Sequence, residues 1–218
     1  MLRAKICCIA TESEAALAVR EGASAIGLVS AMPSGPGPIP EEQIRAIART
    51  VPPGVDTFLL TSSRDPREIE RQARVTGVRT LQLVDAQATE TYPELRNSLP
   101  GARLVQVIHV TGPDALGEAQ RIASFVDALL LDSGNPSAAV KELGGTGRTH
   151  DWTISTRIRE RVGVPVFLAG GLTPENVAEA VRRVRPYAVD VCSGLRTDGR
   201  LDERKLRAFM VASGIATR

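Results

Sequence analysis

Short apolar runs rich in β-branched residues alternate along the chain with amphipathic stretches that open at Ser, Thr, Asp or Pro. The apolar runs "AKICCIA", "AIGLVS", "VDTFLL", "TLQLV", "RLVQVIHV", "DALLLDS", "PVFLAGG" and "AVDVCSG" predict eight strands. Between them, "TESEAALAVREGA", "IPEEQIRAIARTV", "DPREIERQARVTG", "GPDALGEAQRIASF", "TPENVAEAVRRVRP" and "DERKLRAFMVASG" repeat apolar positions at helical spacing, and "ETYPELRNSLPG" does so least regularly. Strands that alternate with helices predict a parallel sheet. Eight such units within 218 residues predict an α/β TIM (β/α)8 barrel spanning residues 1–218 as one domain. An open doubly wound sheet is the competing reading, but it commonly carries a glycine-rich phosphate loop after the first strand, where this chain has "CCIATESEA".

Composition narrows the function. A net charge of +2 and 3% aromatic residues give neither the basic patch nor the stacking surface that nucleic-acid binding uses. No apolar run approaches the length of a membrane span, so a membrane partner is not expected either. Three cysteines are too few for a disulfide framework, and the adjacent Cys7 and Cys8 lack zinc-site spacing. The expectation is a cytoplasmic protein acting on a small molecule, with no metal and no cofactor; the sequence leaves its oligomeric state open.

In a barrel of this kind the chemistry sits at the C-terminal ends of the strands. Strand alternation puts Lys5, Cys7 and Ile9 on one face and Ile6, Cys8 and Ala10 on the other, so only one cysteine of the pair should reach the mouth. A buried cysteine is ordinarily a small hydrophobe, and both residues also fit that role. Asp132 ends the leucine run of the sixth strand, where it can serve as a helix cap or as an acid whose pKa is raised by apolar surroundings. The long stretch "GNPSAAVKELGGTGRTHDW" that follows weakens the cap reading. Gly170 and Gly171 follow the seventh strand, Ser193 and Gly194 the eighth, and loops at these two places often bind phosphate through backbone N–H groups. "GGTG", residues 144–147, is too short for a nucleotide motif and reads as an active-site loop.

These segments together resemble the phosphoribosylanthranilate isomerase family of tryptophan biosynthesis. The family's "KICG", "LLDS", "GGTG" followed by "DW", "LAGGL.P.NV" and "D..SG" resemble "KICC", "LLLDS", "GGTGRTHDW", "LAGGLTPENVAEAV" and "DVCSG", in one order from residue 3 to about residue 209. The resemblance implies an Amadori rearrangement of a phosphoribosyl-arylamine, with Cys7 at the position of the family's general base and Asp132 at that of its general acid. A carboxylic acid protonates the ring oxygen to open the furanose, and a thiolate then removes the C2 proton. Lys5, two residues before Cys7, is placed to assist and is a candidate for direct substrate contact, as are Arg148 and Arg196, and Cys8 is expected to pack toward the helices.

Departures from the family fall at one end of the expected substrate. Its "SPRYISPE" loop corresponds to "GPGPIPEE", with Gly37 in place of the arginine that holds the anthranilate carboxylate, and its "QLHG" corresponds to "QLVD", with Val84 in place of histidine. The glutamate usual after "SG" is also absent, the chain reading Leu195 and Arg196 there. Arg148, Arg196 or His109 are the candidates to take over, Arg196 foremost because it follows the eighth strand. The alternative is a diverged paralogue that isomerises, or only binds, a different phosphosugar amine.

Overall fold

The computed structural model describes residues 1–33, 35–134 and 147–215. Eight parallel strands close into a barrel in chain order: β1 (Arg3–Ile6), β2 (Ala25–Val29), β3 (Asp56–Thr61), β4 (Thr80–Leu83), β5 (Arg103–His109), β6 (Ala128–Asp132), β7 (Val166–Leu168) and β8 (Ala188–Val191). The helices α1 (Glu12–Arg20), α2 (Glu41–Thr50), α3 (Pro66–Thr76), α4 (Thr91–Ser98), α5 (Ala115–Ala123), α6 (Trp152–Arg161), α7 (Val177–Val184) and α8 (Glu203–Ala212) follow β1 to β8 in turn. The TIM barrel expected from the alternation is the fold observed. Of the helices, α6 alone lies outside the amphipathic stretches quoted above. It starts at Trp152, the last residue of "GRTHDW", where Asp151 caps it by accepting from the Thr153 N–H at 2.8 Å.

Continuous apolar runs are what strands buried on both faces require, and the two faces build separate layers. Ile6, Ile26, Leu28, Leu59, Leu81, Leu104, Ile108, Leu129, Leu131 and Val189 pack outward with the helices. Ala25, Val29, Phe58, Val105, Val107, Ala128, Leu130, Phe167 and Ala188 fill the interior, joined there by Cys7 and Cys8. The interior also holds a charge pair. Lys5 and Asp190 are Cα partners in the β1–β8 register, and the Lys5 ammonium donates to the Asp190 carboxylate at 2.8 Å.

Outside the barrel, one carboxylate ties the last strand to the first helix. Glu14 accepts from the Ala10 N–H at 2.9 Å, from the Leu201 N–H at 2.9 Å and from the Arg196 guanidinium at 3.1 Å. These contacts join the β1–α1 loop to the short hairpin of β9 (Arg196–Thr197) and β10 (Arg200–Leu201). Partial burial works to raise the pKa of Glu14, but the two backbone N–H groups and Arg196 outweigh it and hold the carboxyl below its ordinary value. A depressed carboxyl pKa contributes stability above the unfolded-state value and loses it as pH falls through the folded-state value. Glu14→Gln should therefore lower the urea unfolding free energy by about 2 kcal/mol at pH 7, the worth of a charge-assisted hydrogen-bond set, and by clearly less at about pH 3, below the unfolded-state carboxyl value of about 4.3. Equal deficits at both pH values would contradict this assignment.

Candidate active site

A mouth of about 660 Å³, open to solvent, lies at the C-terminal end of the barrel. Cys7, Cys8, Val84, Asp132, Gly170, Gly171, Asp190, Cys192 and Ser193 all line it, together with Met32, Gly35 and Pro36 of the second loop. Residues more than 100 positions apart in sequence thus share one cavity because parallel strands in register end at one level.

Asp132 ends β6 facing this cavity and is 8% exposed. Its Oδ1 accepts from the Ser133 N–H at 2.8 Å, which orients the carboxyl. Desolvation raises its pKa; the Ser133 N–H, His109 and Lys5 oppose this, while Asp190 adds to it. The group is therefore suited to carry a proton and deliver it, as an acid catalyst must. A buried carboxyl with a raised pKa binds protons more strongly when folded, so stability is lost as pH rises from the unfolded-state value through the folded one.

Cys7 lies just past the end of β1, its N–H donating to the Val191 carbonyl at 2.8 Å, so it continues the β1–β8 pairing by one residue. Lys5 stands one inward layer below, fully buried and outside the lining of the mouth. Burial pulls the Lys5 pKa down, yet Asp190 and the Cys7 sulfur outweigh it, and the net shift is upward. Lys5 is thus a fixed cation beneath the thiol, and the expected direct substrate contact gives way to this buried pairing. The letters of "DVCSG" assign Asp190 no role of its own; only the cross-strand register reveals that it faces Lys5.

The alternation expected across the cysteine pair breaks down. The strand ends at Ile6, and Cys8 takes φ +61°, a left-handed conformation that side chains rarely adopt. The backbone turn brings Cys8 back to the mouth, so both cysteines line it, while Ile9 joins the outer layer with Ile6. The expectation that Cys8 packs toward the helices is corrected accordingly. Glycine, the family's residue here in "KICG", meets this conformation without the cost that a side chain incurs.

Arg196 does not reach the mouth. Its guanidinium is engaged by Glu14, by the Gly199 carbonyl at 2.8 Å and by the Cys8 carbonyl, behind the residues that line the cavity. Sequence position after β8 is a sound guide to proximity but carries no sign of Glu14 as a competing partner. His109 sits in register beside Asp132, and its Nε2 faces the Val84 carbonyl at 3.0 Å. A carbonyl can only accept, so Nε2 bears a proton and donates it there. Arg148 lies with its backbone against Gly171 and lines a separate cleft with Val110, Ser133, His150 and Asp151. Of "GGTG", Gly147 lines the mouth, and residues 144–146 lie outside the described residues.

The phosphate candidates converge on the same side. Gly170, Gly171 and Ser193 line the cavity, and Gly194 sits behind them. A Cβ at Gly194 would lie 2.0 Å from the Leu172 carbonyl, so glycine is required for the loops after β7 and β8 to approach this closely. Ser193 opens a single 3-10 turn, Ser193–Leu195, and exposes its N-terminal end to the mouth.

The matching family model, N-(5'phosphoribosyl)anthranilate (PRA) isomerase, covers residues 4–212. The chain belongs to this family. It is 37% identical over 211 residues to the N-(5'-phosphoribosyl)anthranilate isomerase 2 of Methanosarcina mazei, covering 96% of this chain and 92% of that one. It is 38% identical over 218 residues to the corresponding isomerase of Haloferax volcanii, covering 99% and 95%. Among solved structures, the Thermotoga maritima phosphoribosyl anthranilate isomerase superposes with a TM-score of 0.85 at 29% identity, covering 98% of this chain and 99% of that one. A phosphoribosyl anthranilate isomerase in complex with reduced 1-(o-carboxyphenylamino)-1-deoxyribulose 5-phosphate gives 0.82 at 27%, with the same coverage. The expectation of a diverged paralogue with another aglycone finds no support among these relatives.

Two measurements bear on the site. Asp132→Asn should keep the Ser133 contact and remove the penalised charge, raising the melting temperature by a few degrees at pH 7 while lowering kcat roughly 100- to 10,000-fold. The stabilisation should shrink toward zero near pH 4, where the unfolded-state carboxyl is also protonated; a variant less stable than wild type at pH 7 would refute the raised pKa. The second concerns Gly37, whose φ is +85° and where a Cβ would lie 2.6 Å from the Cys8 Cβ. Gly37→Arg alone should therefore destabilise by about 1–3 kcal/mol through overpacking, and Cys8→Gly should recover a large part of that. Additive effects of the two changes in urea unfolding would show them to be independent.

Proposed function

We propose that this mouth catalyses the Amadori rearrangement of N-(5'-phosphoribosyl)anthranilate to 1-(o-carboxyphenylamino)-1-deoxyribulose 5-phosphate. The observation that carries the reading is the placement of Cys7 and a proton-holding Asp132 on one cavity, with the glycine-bearing ends of β7 and β8 beside them.

The reaction needs a proton given and a proton taken at neighbouring atoms. Asp132, in its acid form, protonates the ring oxygen of the ribose, and the C1–O bond breaks to leave a protonated Schiff base to the aryl nitrogen. The Cys7 thiolate then removes the proton from C2. Electrons of that C–H bond move to C1–C2 and neutralise the iminium nitrogen, giving an enolamine that tautomerises to the 2-ketone. Lys5 sets a positive charge under the sulfur that must carry the negative one, and Asp190 holds Lys5 in place. Gly170, Gly171, Ser193 and Gly194 offer backbone donors to the phosphate, which anchors the sugar with C2 toward Cys7. A small phosphosugar substrate and a reducing cytoplasm, where the thiol base stays free, suit this chemistry.

Steady-state kinetics test the reading. Wild-type protein should convert phosphoribosylanthranilate, and Cys7→Ser should lower kcat roughly 100-fold or more with little change in KM, because the base acts mainly after binding. A KM effect without a kcat effect would make Cys7 a binding residue, and full activity in the variant would remove it from the mechanism.

A further inference from the structure

We propose that Cys8 and Cys192 are a reversible disulfide pair, closed by hydrogen peroxide, that shuts the phosphate side of the mouth. The three cysteines of the chain stand at residues 7, 8 and 192, yet all of them line one cavity and all are free thiols. Two features of the fold assemble them. The β1–β8 register pairs Ile6 with Val191, so the residues after them, Cys7 and Cys192, leave the barrel side by side. The left-handed turn at Cys8 then swings its side chain to the same side, where it lines the mouth together with Cys192.

The pair is chemically polarised. The Cys8 contact lowers the Cys192 pKa despite burial, with Arg196 adding to the effect, whereas the same contact raises that of Cys8. Cys192, the more exposed of the two and the one whose pKa is lowered, is the sulfur placed to meet an oxidant first. Among the described residues no group of three or more His, Cys, Asp or Glu is arranged to hold a metal, so a metal does not explain the cluster. Cys192 is only partly buried at an open mouth, which admits a peroxide.

The Cys192 thiolate attacks one peroxide oxygen, the O–O bond breaks, and hydroxide leaves with Cys192 as a sulfenic acid. The Cys8 sulfur, giving up its proton, displaces the hydroxyl from Cys192: an S–S bond forms, the S–O bond breaks, and water leaves. Two thiols and one peroxide become one disulfide and two waters. The bond would tie the β1–α1 loop to the residue immediately before Ser193, the start of the turn proposed to hold phosphate.

Peptide mapping decides it. The reduced full-length protein is treated with hydrogen peroxide, alkylated and digested with trypsin. A cross-link between the peptide holding Cys7 and Cys8 and that holding Cys192 is expected in wild type and in Cys7→Ala, and is expected to be absent in Cys8→Gly, Cys8→Ser and Cys192→Ala. Cross-linked wild type should lose roughly tenfold to a hundredfold in kcat/KM, as a small misplacement of a binding turn does, and regain it with dithiothreitol. A cross-link that persists in both Cys8 variants makes Cys7 the partner and overturns the proposal. So does wild type that forms none, or that keeps full kcat/KM when cross-linked. The activity arm rests on the isomerase reading; should that fail, the cross-link map still decides whether the pair exists.

Discussion

The mouth depends on one ion pair sealed inside the barrel. Lys5 and Asp190 meet at 2.8 Å with side-chain exposures of 0% and 8%, and together they lock the first strand to the last. A parallel pairing slipped by one residue would send each side chain to the opposite face, leaving a buried ammonium among the outer apolar residues. Removing one partner of a buried pair costs about 3–5 kcal/mol, since an uncompensated charge is left behind. That penalty enforces the register, and the register in turn sets Cys7 beside Cys192 and both above Lys5. The same pair acts on the acid: Asp190 favours the protonated form of Asp132 while Lys5 opposes it, so the proton held there reflects desolvation more than either neighbour.

Much of the barrel was legible because its strands are buried on both faces and its helices on one, so the pattern changes period at each boundary. Inward positions on strands followed from alternation: Asp132 faces the mouth as its parity with Leu130 and Ala128 requires. Parity failed where the strand ended. Nothing in "AKICCIA" marks Ile6 as the last paired residue of β1, and a cysteine in left-handed backbone defies local preference. Such conflicts between local preference and observed conformation are expected at sites where function or a neighbour overrides it.

Long-range partners were the other blind spot. Arg196 was correctly placed after β8 but not correctly aimed, because its partner Glu14 lies 182 residues earlier on α1. Asp190 and Cys192 were visible as letters of "DVCSG", yet their roles follow only from what stands across from them on β1. The late start of α6 was hidden for a different reason. Its first turn carries no acidic residue and its apolar positions are few, so the Asp151 cap was the sole local signal.

The two departures from the family's pattern at residues 8 and 37 are one structural event. Where the family has glycine at the first position and arginine at the second, this chain has Cys8 and Gly37, and the Cys8 side chain occupies the space into which a side chain at residue 37 would project. The backbone of the second loop returns beside β2, with the Ile39 N–H donating to the Val29 carbonyl at 3.0 Å, so residue 37 cannot simply move away. A side chain gained near the strand end therefore requires glycine across from it, and restoring the arginine without removing the cysteine would force two Cβ atoms together. The second loop accordingly presents Met32, Gly35 and Pro36 to the mouth where the resemblance would place an arginine, and that cation cannot be restored at residue 37 while Cys8 keeps its side chain.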